Sequence, residues 1–265
     1  MFCETHDGQK LYYEVLGNQN SVETIVFLNG LTQSTGAWML TTPYFKTKYK
    51  IILLDFIFQG QSDKEGEWRD FDTHANDVRS VLEKEKINKA HIIGISYGSL
   101  VAQHMGVRFP QYVDRLVLLS TFAHKTPYYE AIELSWWRAL EVGGYNLMLD
   151  IMLPSVLSEA YFSNPLVSIS NLKKGRQDLN LNAEAIFKLM RATKERKDYR
   201  KELRKIVSPT LVIQGEKDIL FPVHLAREVS ENIKQSKLVV IVNAGHTLNL
   251  EHVEEVCRNI LDFLN

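Results

Sequence analysis

Residues 90–106 read "AHIIGISYGSLVAQHMG": an apolar run, a serine between two glycines, then apolar residues at helical spacing. Such a pattern predicts a buried strand that turns directly into a helix, with Ser96 at the junction. Gly94 and Gly98, two residues to either side, relieve the crowding that side chains would create in so sharp a turn. A serine held there projects from the end of its strand, as a nucleophile must. The other role for a serine at this place is to cap a helix N-terminus, and the remainder of the chain has to decide between the two.

Working outward, short β-branched runs recur: "TIVFLNG" (24–30), "KIILLDF" (50–56), "RLVLLST" (115–121), "TLVIQG" (210–215) and "KLVVIVN" (237–243). They are apolar nearly throughout, which predicts strands buried on both faces. Helical periodicity lies between them, as in "NDVRSVLEKEK", so the chain alternates strand and helix and builds a mostly parallel sheet. At the start, residues 2–16 alternate around Asp7-Gly8, the signature of an antiparallel hairpin. Between "RLVLLST" and "TLVIQG" the rhythm stops for far longer than a crossover needs. The expectation is one α/β domain with a central sheet of about eight strands, its core formed by residues 1–122 and 206–265. Residues 123–205 are expected to be an inserted helical lid of about four helices, broken at Gly143-Gly144, Pro154 and Asn164-Pro165.

A length of 265 residues suits one large domain with an insertion. A net charge of -1 excludes the basic excess of a typical nucleic-acid binder. No apolar stretch reaches the length of a membrane span, and "MFCETHDGQK" lacks a signal-peptide pattern, so a soluble cytoplasmic protein without membrane partners is expected. Cys3 and Cys257, at opposite ends, form neither a disulfide framework nor a metal-ligand spacing. No metal or cofactor is expected.

A nucleophilic serine needs a base, and the base needs a carboxylate to orient it. His246, in "NAGHTLNLEH", follows the last strand at the same carboxyl edge of the sheet as Ser96, where parallel sheets assemble their sites. His104 and His252 fall inside helical patterns that point elsewhere. Asp218 follows the strand "TLVIQG", while Glu216 is a weaker candidate nearer the strand end. The oxyanion would be held by two backbone amides, that of Tyr97 at the helix N-terminus and that of Leu31 after "TIVFLNG".

With these residues in place the chain resembles the α/β-hydrolase superfamily over essentially its whole length, on "GISYG", "NGLTQSTGAW", "LLDFIFQGQSD", "PTLVIQGEKDILFP" and "NAGHTLNLEHVEEV". The order Ser96, Asp218, His246 matches that superfamily. The resemblance implies a lidded serine hydrolase, with a carboxylic ester or thioester bearing an apolar acyl part as small-molecule substrate. Two loops depart from the usual pattern: Asn29-Gly30 replaces His-Gly, and Asp55-Phe56-Ile57-Phe58-Gln59-Gly60-Gln61-Ser62 replaces Asp-x-Arg-Gly-x-Gly-x-Ser. These loops resemble those of acyltransferases that use 3-hydroxyacyl groups carried by acyl carrier protein or coenzyme A. Those enzymes lack the first glycine of "GISYG", which favours the esterase. Carbon–carbon bond hydrolysis by the same triad, and a receptor that uses the pocket without turnover, stay open.

Within the insertion, residues 171–205 carry twelve Lys/Arg against five Asp/Glu. Such a stretch offers a docking surface for an acidic acyl carrier protein, or a solvated helix face laced with ion pairs. Trp136, Trp137, Met148, Met152, Phe187 and Met190 would line an acyl pocket or pack the insertion's own core.

Overall fold

The computed structural model describes residues 1–177 and 182–265. Eight strands form one sheet in the order β1-β2-β4-β3-β5-β6-β7-β8. They are β1 (Phe2–Glu4), β2 (Lys10–Gly17), β3 (Thr24–Leu28), β4 (Lys50–Leu54), β5 (Ala90–Ile95), β6 (Val113–Leu119), β7 (Thr210–Gly215) and β8 (Ser236–Ile241). Strands β1 and β2 form the hairpin expected around Gly8, pairing Phe2 with Tyr12 and Glu4 with Lys10. Strand β2 runs antiparallel to β4, and every pairing from β4 through β8 is parallel.

Alternation along the strands divides the core in two. Val26 and Leu28 of β3 face one apolar layer with Ile92 and Leu116, while Ile25 and Phe27 face the other with Ile93 and Val117. Helices α1 (Phe71–Lys84), α2 (Tyr97–Arg108), α8 (Val223–Asn232) and α10 (Val253–Leu264) cover these layers. Asp70 caps α1 by accepting from the Thr73 amide at 2.8 Å. The expectation of two-sided burial fails for "KLVVIVN": only Ile241 of β8 is buried. Strand β8 is the sheet's edge, paired to β7 alone, so its apolar residues are half covered.

From β6 to β7 the chain runs through α3 (Pro127–Val156), α4 (Glu159–Ser163), α5 (Ile169–Gln177), α6 (Ala183–Glu195) and α7 (Arg200–Leu203). The break expected at Gly143-Gly144 is a kink within α3, where Gly144 has φ 66°. Pro154 does not end that helix, which continues to Val156. Pro154 costs the helix its bond to the Asp150 carbonyl, and the helix runs only two residues beyond it. The break at Asn164-Pro165 stands between α4 and α5. Helix α5 has no strong apolar periodicity in "ISNLKKGRQ" and is legible only from its cap, Ser168, which accepts from the Asn171 amide at 3.3 Å. Residues 178–181, part of the basic stretch and including Leu181 at the start of the expected fourth helix, lie outside the described residues.

From Arg196 onward the chain is tied down to the sheet side. Arg196 donates to the Gln103 side chain at 2.6 Å, and Tyr199 stacks on His104 of α2 with ring centroids 4.0 Å apart. Cys3 and Cys257 are buried free thiols. No helix among the described residues is long and apolar enough to cross a membrane.

Candidate active site

Ser96 sits where β5 ends and α2 begins, with φ 52° and ψ -117°. That is a left-handed backbone, costly for a residue with a Cβ and held only because the surrounding packing over-determines it. From Ala90 to Gly106, Ser96 is the one residue that is not buried. Its side chain makes no cap bond to α2, which removes the bland role considered for it. The flanking glycines are sterically required. A Cβ on Gly94 would lie 2.2 Å from the Gly98 carbonyl oxygen, and one on Gly98 would lie 2.2 Å from that of Leu28. Since both obstacles are backbone, Gly98→Ala must push α2 away from β3. It should lower the unfolding free energy by about 3 kcal/mol, read as a lower urea midpoint at unchanged slope; a wild-type midpoint would show that the approach is not so close.

The loops after β3 and β5 leave the sheet in opposite directions, toward β4 and β6, and open a crevice at the carboxyl edge between them. Ser96, Leu31 and His246 line one small chamber in that crevice, of about 40 Å³. Trp136, Met152 and Val156 of α3 and Leu220 close it. No Lys, Arg, Asp or Glu is among the described residues that line it.

His246 follows β8, and its Nδ1 lies 2.8 Å from Asp218 Oδ2. Asp218 is fully buried at its side chain. Its Oδ1 accepts from the amides of Leu220 and Phe221 at 2.9 and 2.8 Å, and its Oδ2 accepts from Gln214 Nε2 at 2.7 Å. These donors, with the imidazole, compensate a buried charge that would otherwise be prohibitive. The Phe221 ring stands edge-on to the imidazole at 5.0 Å. Glu216 does not compete for this place. It accepts from the Asn243 amide and lies beside Lys217, and the Asn243 bond is the first cause holding its carboxyl below the ordinary value.

Two supports escaped the sequence. Gln214 is a lone amide in an apolar strand, and that contrast was the available signal; it bridges Asp218, the Phe221 carbonyl and the Thr121 amide. Glu251 accepts from the amides of Gly245 and Thr247, at 3.2 Å each, on both sides of His246. The same carboxylate accepts from the Ser158 amide at 3.0 Å, joining the histidine loop to the end of α3 and the start of α4.

The unusual loops prove to be one device. The Asn29 amide donates to the Leu54 carbonyl at 2.7 Å and receives Trp38 Nε1 at 2.9 Å. Gln59 Nε2 donates to the carbonyls of Gly30 and Leu31, at 2.9 and 3.0 Å. Asp55 anchors both loops by accepting from the amides of Thr35 and Gln61, which oppose the upward push of burial on its carboxyl. The peptide carrying the Leu31 amide is thereby fixed at the chamber wall. The Tyr97 amide, at the first position of α2, has no carbonyl one turn earlier and is free by construction to face an anion.

The other candidates disperse. His104 pairs with Asp72 at 2.7 Å, and His252 is at the start of α10. Trp136 and Met152 reach the chamber, whereas Met148 and Met190 are fully buried in the packing and Trp137 packs at a tilt against Phe187. Much of the basic stretch is used internally: Lys188 pairs with Glu184, Arg191 lies over Trp68, Lys194 lies over Trp137, and Arg200 pairs with Glu228.

An eight-stranded, mostly parallel sheet with a strained serine after β5 and an Asp–His pair after β7 and β8 defines an α/β hydrolase. The chain belongs to the α/β-hydrolase fold family, whose model matches residues 23–253. It is 29% identical over 279 residues to the AB hydrolase superfamily protein YisY of Bacillus subtilis (strain 168), covering 100% of this chain and 98% of that one. It is 26% identical over 281 residues to the 2-hydroxy-6-oxononadienedioate/2-hydroxy-6-oxononatrienedioate hydrolase of Paraburkholderia xenovorans (strain LB400), covering 97% and 92%. Among solved structures it resembles MGS-M2, an alpha/beta hydrolase enzyme from a Medee basin deep-sea metagenome library. There the TM-score is 0.89 at 27% identity, over 100% of this chain and 97% of that one. The protein is thus an enzyme of the hydrolase class.

Proposed function

We propose that the chain is a serine hydrolase that cleaves a carboxylic ester or thioester with an apolar acyl part, using Ser96, His246 and Asp218. The observation that carries this reading is the convergence of Ser96 and His246 on one uncharged chamber, with the imidazole bonded to a fully buried carboxylate.

Ser96 Oγ attacks the acyl carbon while its proton passes to His246 Nε2, and Asp218 holds Nδ1–H and stabilises the imidazolium. The carbonyl oxygen becomes an oxyanion held by the amides of Leu31 and Tyr97. Collapse expels the alcohol or thiol, which takes the proton from Nε2. Water then gives a proton to His246 and attacks the acyl-enzyme, and collapse releases the carboxylic acid as Ser96 Oγ takes the proton back from Nε2. Residues 123–205 act as the lid over this chamber, supported by the closure of its roof by α3.

The lining also bears on substrate charge. The Paraburkholderia relative is named for a dioate, a dicarboxylate, and no Lys or Arg among the described residues lining this chamber would pair with a second carboxylate. Transfer to another acyl acceptor is less favoured than hydrolysis, because many of the Lys and Arg that would dock an acyl carrier protein, Lys173, Lys188, Arg191, Lys194, Arg196, Arg200, Arg204 and Lys205, have partners within the chain. Incubation with p-nitrophenyl esters and acyl thioesters, followed by product analysis, tests this. Free acid as the sole acyl product is expected; a new ester or thioester would assign a transferase.

A further inference from the structure

The chamber at Ser96 is too small for the substrate it must process. About 40 Å³ accommodates roughly three water molecules, enough for the reacting carboxyl group and little beyond it. The remainder of any acyl chain has to leave through a wall. On one side Thr32, Gln33 and Thr247 line the chamber and also line a second cavity of about 270 Å³. That second cavity runs between the segment after β3 and helix α5, with Met39 and Leu40 on one bank and Val167 and Leu172 on the other, and Leu250 between. No Lys, Arg, Asp or Glu is among its described lining residues, and Met39 on its bank is 70% exposed. By contrast, the cavity that touches His246 from its Asp218 side has Glu159, Glu216 and Lys217 among its lining residues, charges that disfavour a hydrocarbon.

The geometry points to this groove as the acyl-chain subsite, taking a straight hydrocarbon chain of medium length that runs from the acyl carbon at Ser96 Oγ past Thr32, Gln33 and Thr247 to Met39. The assignment rests on the serine-hydrolase reading above and adds the chain-length selectivity of that site. The residues expected for this task from the sequence, those of α3 and α6, instead roof the chamber or pack the interior. The selecting side chains come from the segment after β3 and from the stretch around α5.

The test is kcat/KM for p-nitrophenyl esters from acetate to dodecanoate, in wild type, Val167→Trp and Met39→Glu. In wild type each added methylene should raise kcat/KM by up to about fourfold until the groove is filled. Val167→Trp narrows the channel and should lower the octanoate-to-acetate ratio by about tenfold or more. Met39→Glu places a charge on an exposed bank, where it cannot disturb folding, and should lower the same ratio by a smaller factor. Ratios equal to wild type in both variants, with Ser96 still reactive, would overturn the groove while leaving the serine mechanism standing. Absence of turnover for every ester in wild type would overturn the serine mechanism and the groove together.

Discussion

Ser96→Ala should lower kcat for ester cleavage by about 10⁶ without unfolding the protein. The expected loss is this large because the hydroxyl forms the covalent bond and the remaining residues then act on no nucleophile. The variant should fold because the Ser96 side chain caps nothing, and alanine occupies the same left-handed backbone at similar cost. The peptide amides of Leu31 and Tyr97 remain, so a residual rate above the uncatalysed reaction is expected, as for serine enzymes stripped of their nucleophile. A thermal melt matching wild type beside a lost progress curve is the expected pair of results. A rate within tenfold of wild type would mean that another group attacks the carbonyl.

Asp218→Asn should lower kcat by about 10⁴ and destabilise the fold as well. Four donors converge on the two carboxylate oxygens: Gln214 Nε2, the Leu220 and Phe221 amides, and His246 Nδ1. An asparagine must turn its NH₂ toward at least one of them. In the place of Oδ2 it opposes Gln214 Nε2, which destabilises the fold, and faces His246, whose imidazole flips tautomer and presents N–H to Ser96, so the base is lost. If it faces the amides, two donors are opposed in a dry site at a cost of about 1–3 kcal/mol. Measured kcat together with a urea midpoint separates the two orientations. Activity near wild type would require a different orienting group, and Glu216 faces Asn243 and Lys217 instead.

How much of this was legible in the chain differs from residue to residue. The strand-turn-helix at 90–106 was readable because burial on both faces and the paired glycines leave a local imprint, and the two 2.2 Å approaches explain why both glycines are needed. His246 and Asp218 were readable from position, since parallel strands deliver their carboxyl ends to one edge. Strand β8 was misjudged because apolar composition does not distinguish a central strand from an edge. Pro154 was misjudged because a proline costs a helix one bond but does not by itself fix where the helix ends. Glu251 was invisible for a different reason: it acts by accepting from the backbone amides of Gly245, Thr247 and Ser158, and such partners carry no side-chain signature. The Asn29 and Gln59 departures, which in the sequence pointed toward a different fate for the acyl group, have in the structure a local cause, the mutual fit of the two loops.

The central claim is that one serine forms the acyl-enzyme. Incubating the protein with a fluorophosphonate, digesting it and locating the adduct by mass spectrometry tests that claim most directly. A single adduct on Ser96, appearing in step with the complete loss of ester cleavage, is predicted. An adduct on another residue, or full modification of Ser96 with ester cleavage intact, would contradict it.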